Sequence, residues 1–190
     1  MRIVESRIYG TLMVITDFIL LGILWVITSL PVITIFSSTS ATCYVIKQWE
    51  FGEIGSILKI YFTDFKKNFL LKLVYSAIFI SLFVTIYLCL ENIVKYDVNS
   101  ITLIVGVIMA YILTISLFFR IVNNSANTNN LKFFNIKNIV IETISHLGSN
   151  IIIVIVSTLY IGLIFLSPLF IFLFSGAFWK IICLLLNRKF

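Results

Sequence analysis

The sequence predicts an all-α fold: a polytopic membrane helical bundle, one integral membrane domain over residues 1–190. Three observations predict it. Of the 190 residues, 61% are hydrophobic and 12% charged, with a mean hydropathy of +1.12. The apolar residues fall in runs long enough to cross a bilayer. The basic residues fall between those runs, nearly all on one side. An average soluble domain is about 45–50% apolar and about 25% charged, so no globular surface can be built from this composition. A soluble enzyme, a nucleic-acid-binding domain and a disordered linker are excluded on that ground.

A bilayer core about 30 Å thick requires about 20 apolar residues of helix. The first element covers about 8–30, with Asp17 as its only charge, and stops at Pro31. Arg2 and Arg7 precede it in the manner of a signal peptide, but the run is too long for one and no A-x-A follows. The sequence therefore predicts a retained helix. Residues 32–46 include Ser37-Ser38-Thr39-Ser40-Ala41 and read as a short membrane-embedded helix folded back on the first, since small hydroxyl residues suit tight helix packing. Fuller runs follow at 69–90, with Lys72 near its start, and at 101–119, free of charge. The last long run divides at Ser167-Pro168 into 151–167 and 169–186, because proline disfavours helix at the residue before it. The total is five to six membrane elements, according to whether 32–46 crosses.

The net charge is +6, from 14 Lys+Arg against 8 Asp+Glu. With six crossings, Lys95 alone lies opposite the other 13 basic residues. With five, Arg2 and Arg7 join Lys95, and 11 remain together. Both counts put 47–68, 120–150 and the C-terminus in the cytoplasm, because basic residues gather inside. The larger asymmetry favours a cytoplasmic N-terminus as well.

The internal segments carry two amphipathic helices. In about 54–67, Ile54, Ile57, Leu58, Tyr61, Phe62, Phe65 and Phe69 recur at helical spacing, with Ser56, Lys59, Thr63, Lys66 and Lys67 between them. Such a basic amphipathic helix lies in the membrane interface. It can dock another protein or anionic lipid, or only anchor the loop. Trp49, Tyr61, Phe62, Phe65, Lys66, Lys67, Asn68 and Phe69 are the candidate partner-docking residues. In about 131–147, after the polar loop Asn123–Asn130, Phe133, Ile136, Val140, Ile144 and Leu147 form a stripe opposite Asn135, Asn138 and Glu142. The halves 47–119 and 120–190 share this order, either as a parallel internal repeat or through common membrane constraints.

Asp17 sits about nine residues into its helix, about 14 Å at 1.5 Å per residue. A carboxylate at that depth needs a partner. Lys180 is the candidate, six residues before Leu186 on a helix returning to the cytoplasm. The pair reads as a polar site for a solute or proton, or as a structural contact. Cys43, Cys89 and Cys183 form no C-x-x-C and read as packing or lipid-facing residues. The single histidine, His146, excludes the H-E-x-x-H zinc motif, and no G-x-S-x-G, Walker A or G-x-G-x-x-G occurs. The expectation is a protein that is not an enzyme and takes no cofactor or metal.

One ordered set of residues carries a resemblance. Gly22-Ile23-Leu24-Trp25 is followed by Leu30-Pro31 and Thr34, then Ser37-Ser38-Thr39-Ser40-Ala41. Lys47, Trp49, Gly52 and Glu53 come next, and Tyr61–Phe69 closes the set with Asn68-Phe69. Over roughly 18–70 this resembles the YesL-like family of bacterial membrane proteins, a domain of unknown function. The family's N-L-L-W element has lost its asparagine here, and its P-A-T-x-A stretch has lost its proline and first alanine. The resemblance implies a multi-pass protein of the bacterial cell membrane, commonly encoded beside carbohydrate ABC importers in Gram-positive bacteria, and no catalytic residues. Its implied partners, beside the lipid bilayer, are ABC permease subunits with a separate ATPase. The alternative is a six-helix membrane substrate-binding component or small transporter, of the energy-coupling-importer type.

Overall fold

Apolar runs bounded by Pro31, by the polar residues after Tyr96 and by Ser167-Pro168 fold as the long helices that their length predicts. The computed structural model describes residues 2–52, 55–96, 101–127, 136–145, 147–167 and 169–187, with backbone only for 2–9, 11, 127, 136–138, 147 and 187. The predicted roles of Ile54, Phe133, Asn135, His146 and Pro168, and of the side chains of Arg2, Arg7, Ile136, Asn138 and Leu147, lie outside the described residues.

In chain order the helices are α1 (Arg2–Ser29), α2 (Ile35–Glu50), α3 (Ile57–Lys66), α4 (Phe69–Lys95), α5 (Ile101–Asn127), α6 (Ile136–Ser145), α7 (Leu147–Leu166) and α8 (Leu169–Asn187). Five of them, α1, α4, α5, α7 and α8, are long and apolar enough to cross a membrane. The chain is a multi-pass membrane protein. Its many exposed Leu, Ile, Val and Phe side chains on α4, α5, α7 and α8 face where lipid lies.

Helix α2 is the predicted sixth element. It begins after a single 3-10 turn, Val32–Thr34, and has 16 residues. At 1.5 Å per residue that is about 24 Å, short of the bilayer core. It is the centre of the molecule, packed against α1, α3, α4, α5 and α8. Its pairing with α1 is antiparallel: Thr28 meets Thr34, Trp25 meets Thr39 and Phe18 meets Trp49. The Thr34 hydroxyl closes the turn by donating to the carbonyls of Thr28 (2.6 Å) and Pro31 (2.7 Å).

Two glycines bring α1 and α8 into backbone contact. A Cβ on Gly22 would meet the Phe172 carbonyl at 2.8 Å, and one on Gly176 would overlap the Phe18 carbonyl. Small residues admit such close approach in membrane bundles. Beside this crossing an aromatic layer fills the core. Trp179 touches Trp25, Phe119 and Phe178, and Tyr160 stacks on Phe178 at 4.2 Å.

Three predicted elements differ. The Asn123–Asn130 loop is helical as far as Asn127, because Ser125 and Ala126 are buried against the core and α5 continues to carry them. The span predicted to begin at 151 begins earlier, with Gly148-Ser149-Asn150 in the first turn of α7. In α6 the inward stripe is Ile139 and Thr143, with Ile144 exposed. The face shifts because Asn150 of α7 anchors to the Thr143 carbonyl at 2.6 Å.

Candidate functional site

The hydroxyl run of α2 turns inward. Ser37, Ser38, Thr39, Ser40 and Thr42 are all fully buried. Thr39 and Thr42 return their protons to the carbonyls of Ile35 and Ser38, at 2.7 and 2.9 Å, which satisfies them within the helix. Ser37 and Ser40 reach across to other helices, whereas the Ser38 hydroxyl is buried without a partner among the described residues. Ser37 donates to the Phe65 carbonyl at 2.8 Å, and Ser40 donates to Asp64 Oδ2 at 2.9 Å and meets Ser125 Oγ at 2.7 Å.

Asp64 is the focus of this network. Lys72 Nζ donates to its Oδ2 at 2.7 Å and to its backbone carbonyl at 2.6 Å, with both side chains buried. The pair ties α2, α3 and α4 together around the one residue of left-handed backbone other than glycine among those described, Asn68 (φ 52°). Asparagine tolerates that conformation. The carboxylate and ammonium saturate each other, so the cluster is a closed staple. Lys72 was noted in the sequence only as a charge near the start of a span. Asp64 was missed, and its spacing of eight from Lys72 across the α3–α4 turn was the available signal.

Helix α3 runs back along α2 with two distinct faces. Ile57, Tyr61 and Asp64 face inward. The Tyr61 hydroxyl bonds Thr28 and donates to the Ser38 carbonyl. Burial pushes this phenol up to about 12 against the opposing pull of those bonds, so it remains neutral. Phe65 is half-buried, stacked on Tyr61 and tilted against Phe69. Leu58, Lys59, Phe62, Thr63 and Lys66 stay exposed and enclose a shallow groove. Of the aromatic set read as a docking face, Phe62 is thus exposed, Tyr61 belongs to the core, and Trp49 packs edge-on against Phe18. Lys67 is half-buried, and Asn68 makes the turn.

Asp17 and Lys180 line one cavity of about 560 Å³, bounded by α1, the α2–α3 connection and α8. No ion pair joins them. Lys180 Nζ instead sits 5.1 Å over the Phe18 ring. Elsewhere, Lys47 is buried on α2 and donates to the Asn123 carbonyl at 2.6 Å. Burial pushes its ammonium below the ordinary lysine value. Arg120 on α5 donates to Glu142 (3.0 Å) and Asn150 (3.2 Å), locking α5, α6 and α7 together. Cys43 and Cys183 are buried with their sulfurs 3.0 Å apart, and Cys89 is exposed. The contact with Cys183, then burial, pushes the Cys43 thiol up, which keeps it protonated.

Residues 18–90 match the family model described as "Protein of unknown function, DUF624". The match covers α1 from Phe18, all of α2 and α3, and α4 as far as Leu90, and so contains the hydroxyl run, Asp64 and Lys72. No curated protein and no solved structure matches the chain.

Proposed function

Over residues 18–90 the chain belongs to the DUF624 family, which includes YesL-like proteins, and from that premise we propose that it is a non-catalytic accessory subunit or regulator of a carbohydrate ABC importer. In this reading it docks through α3 on the importer's permease, and the ATPase is a separate chain. The basic segments 47–68 and 120–150 and the C-terminus lie on the cytoplasmic side, where the charge asymmetry puts them.

The observation that carries the reading is the division of labour on α3. Its inner face is pinned by Tyr61 and Asp64 to a buried network. Its outer face offers Leu58 and Phe62, 47% and 40% exposed, between Lys59 and Lys66. A rigid helix that displays an apolar strip flanked by cations fits an apolar partner surface with acidic edges. The importer itself comes from the family resemblance.

The test is co-purification of the full chain in mild detergent with mass spectrometry of bound proteins, against the variant Lys59→Glu, Phe62→Ala, Lys66→Glu. The reading expects a stoichiometric permease and ATPase with the wild type, and loss of both with the variant at unchanged thermal stability. Equal recovery with the variant would show that α3 only anchors its loop.

A further inference from the structure

The cavity that holds Asp17 and Lys180 lies apart from the α2–α3–α4 network and takes no part in it. Its volume of about 560 Å³ falls within the range of about 300–1,000 Å³ typical of small-molecule sites. Among the described residues its walls carry one carboxylate and one ammonium, Asp17 and Lys180, without a pairing between them. Lys180 is held against the Phe18 ring, and Phe18 is in turn braced by the edge of Trp49. The remaining wall is largely apolar, with Met13, Val14, Leu20 and Ile57. Beside that wall, outside the cavity, Leu12 and Ile15 of the membrane-spanning part of α1 are exposed.

We propose that this cavity binds the head group of a zwitterionic phospholipid that bears a primary ammonium, drawn from the bilayer. Charge complementarity selects the class. An anionic head group meets Asp17 and a simple cation meets Lys180, whereas a phosphoethanolamine offers its ammonium to Asp17 and its phosphate to Lys180. Ammonium–carboxylate and ammonium–phosphate contacts are charge-assisted and among the stronger hydrogen bonds available. The exposed apolar surface beside it on α1 selects a lipid over a soluble zwitterion, since only a lipid has acyl chains to lay there.

The test uses the full chain in nanodiscs of equal phosphatidylethanolamine and phosphatidylglycerol, followed by a detergent wash and quantification of retained lipid. Phosphatidylethanolamine is expected to be retained over phosphatidylglycerol by about tenfold, the equivalent of about 1.4 kcal/mol. Asp17→Asn abolishes that preference, and Lys180→Gln lowers retention of both lipids. Val14→Trp, which leaves both charges in place and intrudes on the cavity, lowers retention even if a charge variant fails to fold. Equal retention of the two lipids by the wild type overturns the proposal. An unchanged preference in Asp17→Asn, or undiminished retention in Val14→Trp, overturns it too. Displacement of the lipid by equimolar glycerophosphoethanolamine, which lacks acyl chains, overturns the choice of a lipid.

Discussion

Helix α2 has 16 residues, of which 11 are buried, and five of those 11 carry hydroxyls. Helix α4 has 27 residues, of which Lys72, Ser76 and Phe79 are buried. The more polar helix is therefore the inner one, and the strongly apolar helix shows the protein only a narrow stripe that contains a lysine and a serine. In water the order runs the other way, because apolar surface gains most by leaving the solvent. In a bilayer an apolar side chain is as well solvated by acyl chains as by protein. A hydroxyl, a carboxylate or an ammonium has no partner in hydrocarbon and moves inward to find one. The comparison teaches that polarity decides which residues are inside this molecule, with apolar packing filling the space between them.

The strongest way to break the comparison is to remove the ion that joins the two helices through α3. Asp64→Ala leaves the Lys72 ammonium, 1% exposed, without its counter-charge. Removal of one partner of a buried pair costs about 3–5 kcal/mol. Replacing both, as Asp64→Leu with Lys72→Met, removes both desolvated charges and is expected to recover most of that loss. Equilibrium unfolding in mixed detergent micelles measures both variants against the wild type. If the double variant is no more stable than Asp64→Ala, the polar network around Ser40, rather than the charge pair, carries the stability.

A second variant asks how far packing matters where no polar contact is at stake. Gly176→Val drives a branched side chain into the Phe18 carbonyl and forces α8 away from α1. Overpacking of this kind costs about 1–3 kcal/mol. Gly148→Ala is the control: its Cβ has nothing within 4 Å, and alanine suits the first turn of α7 better than glycine does. It is expected to be neutral or slightly stabilising. Thermal unfolding of the two variants side by side separates a steric effect at the helix crossing from a general intolerance of glycine replacement.

The same inversion of solvent explains what could be read from the sequence. Long apolar runs, Pro31 and Ser167-Pro168 mark out the five spans, since length and helix-breaking chemistry act locally, although α5 runs past its predicted end at 119 to Asn127. The hydroxyl run at 37–42 reads correctly as a tightly packed helix for the same reason. Residue faces were less legible. In α3 the helical period groups Tyr61 with Phe62 and Phe65 as one apolar surface and gives Asp64 no place on either face. That assignment assumes water outside, whereas Asp64 and Tyr61 turn inward to partners on α2 and α4 and Phe62 turns out. The extension of α5 through Asn123–Asn127 was hidden because its buried partners, Lys47 and Ser40, lie far away in the chain. Asp17 stood out as a lone charge inside an apolar run. Its place on a cavity wall beside Lys180 depends on how α1 meets α8, which two glycines set.

The smallest effect gives the sharpest comparison. Ser40→Ala deletes one hydroxyl that donates to Asp64 and meets Ser125. Its expected cost is about 1 kcal/mol, the net worth of one buried hydrogen bond, because Lys72 still holds the carboxylate. Leu88→Ala deletes three carbon atoms from α4 at a position 50% exposed. In a soluble core a leucine truncation costs about 2–5 kcal/mol, largely from lost burial and the cavity left behind. Here the side chain faces lipid, which closes over the gap, and the expected change is below about 0.5 kcal/mol. A serine that matters more than a leucine is what the contrast between α2 and α4 requires. If unfolding measurements return the opposite order, the outer face of α4 is covered by protein rather than by lipid.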